Sequence, residues 1–284
     1  MIEWLLEPFT YNYMVKAMAA SALVGTVCAL LSVFLMLKGW SLIGDALSHA
    51  VVPGVAGAYA LGLPYAMGAF FTGFLAATAI LGLNQIARLK QDAVIGFVFS
   101  AFFAAGLLLI SLNPTSISIT AIIYGNILGM SDSDLWQIMF IAAITLVLFA
   151  LKWRDFMLMF FDETQAVAAG LNVTRWKIIF FAMLSAAVVS SLQAVGAILV
   201  IALVITPGAT AYLLSDRFGR VLVIAMLIGL LTSFFGAYLS YFVNGVTGAL
   251  IVVLQTALFI LAFLFSPKYG LIPRKIRLRK AVAV

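Results

Sequence analysis

Apolar residues fill this chain in long runs rather than in alternating or heptad patterns, and the few charges gather between the runs. Three stretches, 93–131, 178–215 and 221–267, contain no Asp, Glu, Lys or Arg. Each can hold one or two of the segments of roughly 20 apolar residues that a helix needs to cross a bilayer. The pattern along the whole chain predicts crossings at about 15–37, 42–62, 65–85, 93–111, 133–151, 177–195, 197–214, 219–242 and 246–265. The expected fold is an all-α polytopic membrane protein, a single domain over 1–284 with about nine transmembrane helices and a range of eight to ten. The short apolar segment 117–130 reads as a re-entrant or half-length helix, which lipid tolerates only under a cover of protein.

Breaks are expected inside two of these spans. Lys177 to Ser215 must cross twice with no polar loop, turning near Ala194-Val195-Gly196, and Thr206-Pro207-Gly208 is expected to interrupt the second pass. Val52-Pro53-Gly54 breaks the second span in the same way. Proline frees a backbone carbonyl and glycine permits a bend or a close approach. Such sites are either ordinary kinks with small-residue packing or the discontinuous helices that carriers place beside a binding site.

Charge then orients the spans. Lys38, Arg88 with Lys90, the group Lys152/Arg154/Arg175/Lys177, the pair Arg217/Arg220 and the tail from Lys268 to Lys280 all fall on one side of nine crossings. The loops near 63–64, 112–116 and 243–248 carry no base. The positive-inside rule therefore puts the C-terminus and the basic tail, about 267–284, in the cytoplasm and the N-terminus outside. Lys16 fits poorly and is expected to snorkel at a helix end. With 65% hydrophobic and 9% charged residues, the composition excludes an ordinary soluble domain. A net charge of +6 is better explained by attraction of the tail to anionic lipid than by nucleic-acid binding. Cys28 has no partner for an intrachain disulfide and reads as helix packing. The start, Met1-Ile2-Glu3-Trp4, shows no basic n-region or cleavage motif, so the first span itself is expected to direct insertion.

Two ionisable side chains stand inside the apolar second span. Asp45 and His49, the only histidine, are four residues apart, which puts them on one face of a helix with Cβ atoms roughly 6 Å apart. Ionisable groups at membrane depth persist mainly where a pathway, a gate or a bound ion uses them. A carboxylate oxygen and an imidazole nitrogen suit a divalent transition metal, whereas calcium prefers oxygen alone. Two ligands are few for tight storage but suit an ion that must leave. A salt bridge of Asp45 to His49 or Lys38, and a proton relay through His49, remain open on these grounds. A zinc enzyme is disfavoured, since one histidine and one nearby acid fall short of three protein ligands. Ser48 points away from the pair and reads as packing.

The longest polar connection, about 155–174, contains Phe161-Asp162-Glu163 and ends a short predicted helix at Gly170. Asp162 and Glu163 fall at its positive N-terminal end and Gly170 at C′. This is either a plain surface helix between spans or a projection on which a soluble partner docks.

The stretch Lys38-Gly39-Trp40-Ser41-Leu42-Ile43-Gly44-Asp45-Ala46-Leu47-Ser48-His49-Ala50-Val51-Val52-Pro53-Gly54 resembles the signature of the ATP-driven metal-uptake permeases of the manganese, zinc and iron family. Val195 to Ala211, with its Thr206-Pro207-Gly208, and the Phe161-Asp162-Glu163 to Gly170 run resemble the family in the same order, over nearly the whole chain. Lys38 to Gly62 and Asn113-Pro114-Thr115 look nearest to the enterobacterial-type manganese and iron permeases.

This resemblance implies a multi-pass permease of the bacterial inner membrane that is not itself an enzyme. It implies a homodimer, or a pair with a close paralogue, joined by two cytoplasmic ATPase subunits and an extracytoplasmic metal-binding protein. Its cargo would be manganese or iron, with zinc as a further candidate. Asp45 and His49 would be transient metal contacts in the translocation path. Asp162, Glu163, Ala166 and Gly170 would couple the chain to the ATPase through a short cytoplasmic coupling helix. Glu163 stands where the family often has proline. No Gly-x-x-x-x-Gly-Lys-Ser/Thr pattern occurs in the sequence, so this chain is expected to bind no cofactor and ATP to be hydrolysed on the partner. The competing expectation is a proton-coupled secondary metal transporter that works without partners.

Overall fold

The computed structural model describes residues 2–86, 89–112, 127–266 and 269–273. All regular structure among them is helical. The helices are α1 (Ile2–Thr10), α2 (Asn12–Lys38), α3 (Ile43–Ala50), α4 (Val52–Ala60), α5 (Tyr65–Ile86), α6 (Gln91–Leu112), α7 (Asp132–Phe161), α8 (Glu163–Ala168), α9 (Val173–Val195), α10 (Ala197–Leu214), α11 (Phe218–Val243) and α12 (Thr247–Phe265). Of these described helices, seven are long and apolar enough to cross a membrane: α2, α5, α6, α7, α9, α11 and α12. The α3–α4 pair and the 18-residue α10 occupy the other two apolar segments expected from the sequence. The expected half-helix at 117–130 falls mostly on 113–126, outside the described residues, as do Arg88 and the basic tail beyond Pro273.

Helices α2 and α9 form the centre of the bundle, whereas α5, α6, α7 and α12 leave most of their apolar surface outward, as lipid-facing helices do. Contact between helices relies on small residues. Gly54 of α4 and Gly68 of α5 lie with the backbone of one against the other, and Gly25 of α2 meets Gly229 of α11 in the same way. A side chain at any of these four positions would overlap the facing helix, the usual way in which membrane helices approach closely. An aromatic cluster fills one end of the bundle: Phe34 packs against Phe149, Phe156, Phe160, Phe180 and Phe218. This end also holds α8. The opposite end holds α1, whose Leu5 carbonyl accepts a hydrogen bond of 2.8 Å from Tyr238.

Several details differ from the sequence expectation. Helix α1 precedes the first predicted span and was not anticipated. Lys16 does not merely snorkel; it pairs with Asp132 at the start of α7. Helix α7 runs to Phe161, past the predicted end near 151, because Lys152 and Asp155 pair at i,i+3 (3.2 Å) while Phe156, Met159 and Phe160 are buried. The first residues of the expected 155–174 loop are therefore helical.

The turn near Gly196 is present, with φ 82° at that glycine. Pro207, in contrast, does not interrupt α10. The hydroxyl of Ser32 on α2 accepts the Gly208 N–H (2.8 Å), next to the proline, and donates to the Ile205 carbonyl (3.3 Å), so α2 holds the backbone on both sides of Pro207.

Candidate functional site: the Asp45–His49 pair and the α8 clamp

Helix α3 is amphipathic in an unusual sense. Ile43, Gly44, Ala46, Leu47, Ser48 and Ala50 are buried, and Asp45 and His49 lie together on the remaining face. Ser48 turns its hydroxyl back to the Gly44 carbonyl at 2.8 Å, the packing role expected for it. His49 Nε2 stands 3.4 Å from Asp45 Oδ1, longer than a good hydrogen bond. That separation is close to the spacing of two adjacent donors on one ion with bonds of about 2.0–2.2 Å. The imidazole is fixed from one side by Phe99 and Phe103 of α6, both edge-on at 5.3 and 5.4 Å.

The pair is half-exposed on this chain, with 41% of the Asp45 side chain and 31% of His49 accessible. Bare charge facing lipid would be costly, so this face suits a water-filled path or a second protein chain. Shortly after His49 the helix is interrupted at Val51, and Pro53 stands in the first turn of α4, so the expected break in the second span is present. Among the described residues, no three His, Cys, Asp or Glu side chains converge. A cavity of about 540 Å³ at the α1 end, lined by Glu7, Tyr13, Ser240, Tyr241 and Asn244, includes neither Asp45 nor His49.

Lys38 is not a partner of Asp45, as one reading of the sequence allowed. It is committed elsewhere: Lys38 Nζ lies 2.7 Å from Glu163 Oε1, and Lys177 Nζ lies 2.7 Å from Glu163 Oε2. Partial burial pushes the Glu163 carboxyl upward, but Lys177 and Lys38 outweigh it and hold it below the usual carboxylate range.

Helix α8 is capped at both ends. Asp162 accepts the Gln165 N–H at 3.0 Å. Gly170, at φ 80°, closes a Schellman turn through Gly170 N–H to Val167 (2.9 Å) and Leu171 N–H to Ala166 (3.0 Å). Ala166 is buried beneath the helix. Of the four residues assigned to coupling, Asp162 and Gly170 shape the ends, Ala166 seats the helix and Glu163 faces inward. The large apolar side chains exposed on this segment are instead Phe161, the last residue of α7, and Val167, 77% and 62% exposed, to which the sequence reading gave no role. Their signal was available only once α8 had a defined inner face.

Comparison with known proteins places the chain as a whole in a family. A model of the ABC 3 transport family matches residues 10–266. The chelated iron transport system membrane protein YfeC of Yersinia pestis is 61% identical, the match covering 98% of this chain and 95% of that protein. The manganese transport system membrane protein MntB of Synechocystis is 45% identical over 98% of this chain and 90% of that protein. Among solved structures, PsaBC from Streptococcus pneumoniae in complex with Fab superposes with a TM-score of 0.86 at 32% identity, over 98% of this chain and 100% of that one. With nearly its whole length matched in sequence and in fold, the chain belongs to the ABC 3 transport family.

Proposed function

We propose that this chain carries a divalent transition-metal ion, iron or manganese, across the bacterial inner membrane into the cytoplasm, with Asp45 and His49 as transient contacts in the path. The chain is a permease subunit, and ATP is hydrolysed by separate subunits. Relatives named for chelated iron and for manganese transport support the choice of cargo. Zinc would bind an oxygen–nitrogen pair more tightly than either, so selection among metals belongs to the extracytoplasmic binding protein and to metal supply.

In this reading the α8 end faces the cytoplasm, and the C-terminus lies there too. The bases Lys38, Lys152, Arg154, Arg175, Lys177, Arg217 and Arg220 all belong to that end, as the positive-inside rule requires. The half-exposed face of α3 turns toward a second permease chain, a copy or a paralogue. The binding protein delivers the ion at the α1 end. Two ATPase subunits engage α8 through its outward surface, and the movement they impose opens the path.

The observation that carries the proposal is the Asp45–His49 pair, 3.4 Å apart on the one open face of an otherwise buried helix. Membership of an ATP-driven family removes the reason to prefer a proton-driven carrier working alone. The test is uptake of iron and manganese by the full complex in proteoliposomes. Asp45→Ala and His49→Ala should each lower uptake by at least about tenfold, the scale on which even supporting groups matter at metal sites. Normal accumulation by both variants would remove the pair from the path.

A further inference from the structure

We infer that the Lys38–Glu163 ion pair is the mechanical link that carries movement of α8 to the Asp45–His49 helix, which makes Lys38 a positioning residue of transport. The inference rests on the importer reading above and specifies how its two ends communicate.

Lys38 is the last residue of α2, and only residues 39–44 separate it from Asp45. That short connection is stiff. Gly39, at φ 70°, closes a Schellman turn with its N–H on Met36 (3.1 Å) and the Trp40 N–H on Leu35 (2.8 Å). The Ile43 N–H then bonds the Trp40 carbonyl at 3.2 Å and leads directly into α3. The segment around α8 grips this turn twice. Glu163 holds Lys38, and Phe160, at the end of α7, meets the Trp40 ring edge-on at 5.7 Å, while Phe181 stacks on Trp40 at 5.4 Å.

At its far side α3 is blocked by α10. A side chain on Gly44 would run into Val204, so α3 has no slack in that direction. A displacement of α8 is therefore passed to the residue beside Asp45 through one ion pair and one packed ring, across a turn held by backbone hydrogen bonds. Lys177 holds the other oxygen of Glu163 from the first turns of α9, and its route to α3 runs through the packed face of that helix, where Phe181 meets Trp40, rather than along the backbone that leads from Lys38 into α3.

The two lysines thus separate transmission from simple anchorage. The experiment compares Lys38→Met, Lys38→Arg and Lys177→Met in the assembled complex, reading co-purification of the ATPase, ATP hydrolysis and metal ions moved per ATP. Lys38→Met is expected to assemble and hydrolyse ATP while ions moved per ATP fall by at least about tenfold, within the usual range of coupling between distant sites. Lys38→Arg, which keeps the ion pair, should retain most of the coupling, and Lys177→Met should lose less than about twofold on the same scale. Equal losses for Lys38→Met and Lys177→Met would reduce the pair to an anchor and overturn the inference. Loss of the ATPase from Lys38→Met would overturn it in favour of docking. An unsubstituted complex that hydrolyses ATP but moves neither iron nor manganese would instead refute the importer reading, a result separate from any difference among variants.

Discussion

Replacing Ser32 by alanine would leave the Gly208 N–H, next to Pro207, without the partner it has on α2. The cost of leaving such groups unpaired in an apolar interior is about 1–3 kcal/mol. The expected result is a lower apparent melting temperature in detergent, with Ser32→Thr closer to the unsubstituted protein because a hydroxyl remains. Residues of this kind were invisible in the sequence. A serine in an apolar helix most often bonds its own backbone, as Thr26 and Ser48 do here, and nothing in Ser32 itself points 173 positions along the chain to Ile205. Asp45 and His49 were legible for the opposite reason. Ionisable groups are so costly in an apolar run that their presence alone asks for a use. Glu163 was legible as a helix-start acid, but its inward direction depends on two lysines, one of them 125 positions away.

At the scale of elements, the long uncharged runs located the spans because nothing except a membrane or a large core can cover so much apolar surface. What they could not convey was how the spans meet. The crossing of α4 and α5 depends on Gly54 and Gly68, whose backbones leave no room for a Cβ between them. Gly54→Leu should force the two helices apart at a cost of about 1–3 kcal/mol or more. Its expected signature is a reduced yield of monodisperse protein, whereas Gly82→Leu, at a position with open space around it, should leave the yield unchanged. Proline signals were read correctly at Pro53 and too strongly at Pro207. A proline removes one donor, but whether a helix then breaks depends on what a neighbouring helix offers in exchange, and α2 offers a hydroxyl.

For the whole molecule, the α1 end is tied by Lys16 to Asp132 where a lone snorkelling lysine was expected. The α8 end is tied by Glu163, whose carboxyl is held below its ordinary range. A group depressed in the folded state contributes stability above its unfolded value, near 4.3 for glutamate, and loses it as pH falls through the lower folded value. The difference in melting temperature between the unsubstituted chain and Glu163→Gln should therefore stay constant from about pH 6 to 8 and close only in acid below about pH 4. A difference that already shrinks between about pH 7 and 6 would mean that the clamp does not hold the carboxylate as described.

Helix α7 has 30 residues. At 1.5 Å per residue it is about 45 Å long, roughly 15 Å more than the hydrocarbon thickness of a bilayer. In the importer reading proposed above, the excess makes α7 a stalk that would lift α8 clear of the lipid tails, so that a soluble subunit could reach Phe161 and Val167 without being wetted by the bilayer. The length of that stalk would act as a ruler for how far from the membrane the subunit must stand.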